Sequence, residues 1–294
     1  MKIITLMEEQ EIDPFAGNIE KENLEWMRKR EGRMKKTGVN RVAAGLVLQE
    51  TPGEQGMTAA AKGLLDEEKR LQREMFLLDK ELKLQFIEAL NRMEGKEYIA
   101  AFIAFGAAPT LMGKKPSSLI AFNSKVKGHM FLWQRYGREV CEELKLQYLV
   151  LKEGDGNVLV LFYKSAMLEL FVNTERSLQF LRRMGYGEAV TLEQKLHMLK
   201  KRFKELCPHE VGIFLGIPVE DVEGFIKHKG KECLTSRDWK VYRNPRRAEI
   251  LFRVYDTARS SVARAVVGNS KKWEYCSGNE GCAESESLMP HSYN

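Results

Sequence analysis

Cys207, His209 and Glu210 are the most reactive side chains that stand close together in the sequence. Cys207 and His209 are two residues apart. On an extended chain both side chains leave the same face. A thiol beside an imidazole is a nucleophile with its base, so these two are the catalytic candidates. His209 and Glu210 are adjacent and point to opposite faces of a strand, which separates them as an acid–base pair. The zinc signature HExxH needs a second histidine at position 213, where the chain has Ile213.

A second group lies in AAPTLMGKKPSS. Lys114 and Lys115 follow Gly113 as in the end of a phosphate-binding loop. The match fails, because Ala108 stands where the first glycine belongs and Pro116 follows the lysines. The lysines remain candidate contacts for an anion, as irregular loops rich in Pro and Gly are frequent ligand sites. The candidate ligand-binding residues are Thr110, Lys114, Lys115, His209, Glu210, Trp239 and Lys240. No metal site is expected. Cys276 and Cys282 are six apart in a polar tail, and five widely spaced cysteines point to reduced thiols.

Val211, Ile213 and Leu215 alternate with Gly212, Phe214 and Gly216, which predicts a strand over 209–216, covered on both faces. Gly216-Ile217-Pro218 breaks it. A helix then carries Val219, Val222 and Ile226 on one side and ends near Gly230. Glu220 and Asp221 in its first turn weigh against a phosphate there, since they already neutralise the helix dipole.

Strands are also expected at 118–122, 146–152, 157–163 and 239–243. The second and third form a hairpin across Gly154-Asp155-Gly156. Helices are expected over Glu97–Phe105 and His129–Leu144, and after the caps Ser165 and Thr174. Another follows the capping box Thr191–Gln194, and a last one begins at Pro245. Arg246, Arg247, Arg253, Arg259 and Arg264 give that last helix a basic side. The resulting fold class is α/β with α+β character: a mixed five-stranded sheet with one hairpin, flanked by helices, plus an N-terminal helical extension. The expected organisation is a poorly ordered extension over 1–58, one domain over 59–268 with a leading amphipathic helix, and a disordered tail over 269–294.

The chain has 294 residues, with Lys+Arg 47 against Asp+Glu 41 and a net charge of +6. That is mildly basic, not the concentrated footprint of a nucleic-acid binder. No apolar run is long enough to span a bilayer, and the N-terminus turns acidic before a signal-peptide core could form. A cytoplasmic protein is expected.

Two stretches, APTLMGKKPSSL and PHEVGIFLGIPVEDVEGFIKHKGKECLTSRDWKVYRN, resemble the hallmark segments of the bacterial Domain of Unknown Function 3793 family. The resemblance covers about residues 95–260 and implies a protein of anaerobic Firmicutes with no established activity. Many such relatives carry His-Cys before Ala-Pro-Thr-Leu, where this chain has Gly106-Ala107, so chemistry resting on that thiol is absent here. Three readings of function follow. The first is binding of a small anionic or cofactor-like ligand between the Pro109–Pro116 loop and the Cys207–Gly230 unit. The second is an adaptor that meets a protein partner through residues 59–93 or the basic last helix. The third is a hydrolase or transferase using Cys207 and His209.

Overall fold

The structure, a computed structural model, describes residues 80–124, 128–154, 156–205 and 207–268. The expectations for 1–58 and 269–294, and for Cys276 and Cys282, lie outside the described residues. The chain divides into two compact units, Met1–Pro14 with Phe86–Asn294, and Phe15–Gln85. Apart from 80–85, the described residues belong to the first.

The architecture is α+β. A helix over 80–92 (α1) is followed by α2 (Gly95–Gly106) and a short α3 (Ala108–Leu111). Then come β1 (Ser117–Asn123), α4 (His129–Glu143), β2 (Gln147–Gly154) and β3 (Asn157–Tyr163). After the sheet the chain is helical: α5 (Ser165–Val172), α6 (Glu175–Leu181), α7 (Leu192–Arg202), α8 (Val211–Phe214) and α9 (Val219–His228). A small hairpin of β4 (Thr235–Ser236) and β5 (Lys240–Val241) leads into the long α10 (Pro245–Val267).

Among the described residues the main sheet has three strands in the order β1-β3-β2, all antiparallel. β3 is central, and its continuous apolar run Val158–Phe162 is buried from end to end. β2 is an edge strand with a register shift between Val150 and Lys152. This corrects the five-stranded mixed sheet. The expected strand 239–243 contracts to Lys240–Val241 and, among the described residues, pairs only with Thr235–Ser236.

The expected strand 209–216 is also corrected. Its centre is the helical turn α8, with the amides of Val211, Gly212 and Ile213 donating to the carbonyls three residues back. All of Val211–Leu215 is buried. When every position is buried, apolar spacing cannot tell a strand from a helical turn. The glycine at 212 serves helix packing: a Cβ there would lie 2.7 Å from Val222 Cγ2 of α9. Gly216 has φ +73°, and a Cβ there would meet Pro116 Cδ at 2.7 Å. The Pro109–Pro116 loop therefore packs directly against the turn that follows α8.

Local signals act where expected. Thr174 caps α6 by accepting the Ser177 amide, and Thr191 and Gln194 form a reciprocal capping box on α7. Ser165 is not a cap. It is the first residue of α5, and its amide donates to Gln147 Oε1 at 2.8 Å. Among the described residues no helix is long and apolar enough to cross a membrane.

Candidate functional site

The sequence-derived candidates fall into separate groups. Thr110 is buried in α3, and its hydroxyl lies 2.8 Å from that of Ser118 on β1. Lys114 is exposed. Lys115 is only 6% exposed, with its ammonium 5.6 Å above the Tyr255 ring of α10. Trp239 meets the same ring at 6.4 Å and packs edge-on against Phe252. Lys115 and Trp239 are thus brought to one stretch of α10.

His209 and Lys240 converge elsewhere. The exposed His209 ring stands edge-on to Phe225 at 5.4 Å, and the Lys240 ammonium lies 5.8 Å from the same ring. Lys240 also donates to the Gly230 carbonyl at 2.7 Å, which fixes the end of α9. Glu210 forms a third group. It is buried, paired with Arg202 Nε at 2.5 Å, and accepts from the Tyr186 hydroxyl at 3.3 Å. Burial, with the charge of Glu210, pushes the Tyr186 hydroxyl well above the ordinary tyrosine range.

Cys207 is half-buried, and burial, with the charge of Glu210, pushes its thiol up to about 11. A nucleophilic cysteine needs the opposite shift, because the thiolate is the attacking form. The Cys207–His209 nucleophile draws no support from this environment.

Asp221 has a different place from the one its position in the first turn implied. Its carboxylate turns into the protein. It accepts from Trp239 Nε1 at 2.8 Å and from the amides of Tyr242 and Arg243 at 2.8 and 2.9 Å. One buried carboxylate thereby ties α9 to the β4–β5 hairpin. Burial raises its pKa, against the lowering effect of these three hydrogen bonds.

With Asp221 turned inward, the surface side of the α8–α9 turn opens into a cleft. Its floor and walls are Ile213, Gly216, Ile217, Pro218 and Val219 from the turn, Phe171 from α5, and Leu251 from α10. Its polar groups are Thr174, Arg176, Ser177, Glu220 and Arg247. Arg176 faces Glu220 at 4.0 Å. The amides of Asp221 and Val222 turn back onto the Pro218 carbonyl at 3.0 and 3.1 Å. Among the described residues that leaves the amides of Val219 and Glu220, in the first turn of the helix, without a backbone acceptor. The seven ligand candidates taken from the sequence fall outside this lining. The residues that sequence reasoning missed, Arg176 and Arg247, carry no local signal. Each is one arginine among many, and only the fold brings them beside residues 213–220.

Two of the five arginines on the basic side expected of α10 are held in ion pairs. Arg253 pairs with Glu249, and Arg259 with Asp256 and Asp238. Arg237 from the hairpin joins Glu249 and Asp256 in the same network.

An α+β chain with this helical half is the structural class. Within it, the family model described as "Protein of unknown function (DUF3793)" matches residues 103–273, and the chain belongs to that family. No curated protein matches the chain. No solved structure matches it.

Proposed function

We propose that this protein binds a small anionic ligand in the cleft at the α8–α9 turn. The observation that carries the reading is the placement of two arginines, Arg176 and Arg247, beside a helix N-terminus with Asp221 withdrawn from it. By side-chain type the lining holds two arginines and one glutamate, Glu220, which faces Arg176, a count of one positive unit. The amides of Val219 and Glu220 and the positive end of the α9 dipole add to that charge. Apolar side chains of Phe171, Ile213, Ile217 and Leu251 surround these groups and lower the local dielectric, which strengthens each charge contact. The ligand is expected to be compact, with one oxyanion group and an apolar or uncharged remainder.

Thermal melting in inorganic phosphate, sulfate and small mono- and dicarboxylates tests the reading. A ligand at ten times its Kd stabilises by about 1.4 kcal/mol, which is about 3–5 °C for a chain of this size. The wild type is expected to gain such a shift with at least one anion. The double variant Arg176→Ala/Arg247→Ala is expected to lose it, and Arg138→Ala, an exposed arginine on α4, to keep it. A shift that survives in the double variant rules the cleft out.

A further inference from the structure

The cleft at the α8–α9 turn is small and walled mostly by hydrocarbon. Its volume is about 70 Å³. An apolar cavity of about 150 Å³ takes a benzene ring, so a cleft of half that size takes a chain of a few carbons, not a ring system or a nucleotide. Phe171 from α5, Ile213, Ile217 and Val219 from the turn, and Leu251 from α10 supply the walls. The two uncharged polar side chains of the lining are engaged with each other. The Thr174 hydroxyl lies 2.8 Å from that of Ser177 and accepts the Ser177 amide in the cap of α6. A plain hydrocarbon chain suits such walls better than a hydroxylated one, which would give up water without matching hydrogen bonds.

Charge narrows the class further. Arg176 and Arg247 stand against Glu220, which lies 4.0 Å from Arg176. One negative charge on the ligand brings that count to zero. A second leaves an unbalanced negative charge between apolar walls and beside the Glu220 carboxylate, where like charges repel. A bare inorganic anion satisfies the arginines but leaves the walls uncovered. Each methylene that reaches them adds roughly four-fold in affinity, from about 0.8 kcal/mol per buried CH2.

We propose that the ligand of this cleft is a short aliphatic monocarboxylate of about three to five carbons, and that Glu220 sets the preference for a single negative charge. This rests on anion binding at the cleft and names the class of anion. The two guanidiniums hold the carboxylate, and the chain lies along the apolar walls. Phosphate and sulfate occupy the same place more weakly.

The test is a titration of the full chain at pH 7 with acetate, butyrate, succinate and sulfate, followed by backbone amide NMR. Butyrate is expected to bind about five-fold or more tighter than acetate, succinate or sulfate. In Glu220→Gln, with the spectrum otherwise preserved, succinate and sulfate are expected to gain about three-fold or more relative to butyrate. If no anion moves the signals of the cleft, anion binding fails and the monocarboxylate assignment fails with it. If the anions bind but butyrate is no tighter than acetate or succinate, the cleft remains an anion site and only the monocarboxylate assignment is overturned. Butyrate binding that survives in Arg176→Ala/Arg247→Ala lies elsewhere and overturns both. An unchanged ranking in Glu220→Gln overturns the role of Glu220.

Discussion

Lys115 and Asp238 share one environment and respond to it in opposite ways. Burial pushes the Asp238 carboxyl up, but the charge and hydrogen bond of Arg259, with the charge of Lys115, outweigh it and hold the group below the usual carboxylate range. Lys115 has no such hydrogen bond, and burial lowers it from 10.5 to about 8. The unfolded chain therefore binds more protons than the folded one between about pH 8 and pH 10.5. Stability rises with pH across that window. Below pH 8 the charged, buried lysine costs about 3 kcal/mol. Lys115→Met keeps the length and removes the charge. It is expected to melt above the wild type at pH 6, with the advantage shrinking by pH 10. Thermal melts at the two pH values check this, and an advantage that grows with pH contradicts it.

At the scale of elements, α9 is tied to the β4–β5 hairpin by two close contacts. Asp221 holds the hairpin, and Gly224 lets Tyr242 approach: a Cβ at Gly224 would lie 2.4 Å from Tyr242 Cγ. Asp221→Ala would leave a buried indole N–H and two amides without acceptors. It is expected to cost about 3 kcal/mol or more, and chemical denaturation would measure it. A loss under about 1 kcal/mol would mean that water replaces the carboxylate. The same region shows how far sequence reaches. The β2–β3 hairpin, the Thr191–Gln194 capping box and the Thr174 cap rest on neighbours in sequence and were legible. The Val211–Leu215 segment was not, because burial on every side erases periodicity, and a four-residue helix carries almost no propensity of its own. The candidate ligand residues were chosen by type and loop context. Nothing local reveals that Asp221 turns inward, or that Arg176 and Arg247 arrive beside residues 213–220.

For the molecule as a whole, the buried hydrophobic residues among those described all lie between Phe86 and Val266. The family match over 103–273 covers most of that span. A fragment of residues 80–268 is therefore expected to fold by itself and unfold cooperatively, within a few degrees of the full chain. A broad, non-cooperative melt would show that residues outside 80–268 complete the core.

An anion is expected to meet the start of α9. The most direct measurement follows backbone amide NMR signals of the full chain as inorganic phosphate is added. The signals of Val219 and Glu220 are expected to move and saturate together, and to stay still in Arg176→Ala/Arg247→Ala while the rest of the spectrum is preserved. Val219 and Glu220 signals that do not move in the wild type, or that move equally in the double variant, would contradict the claim.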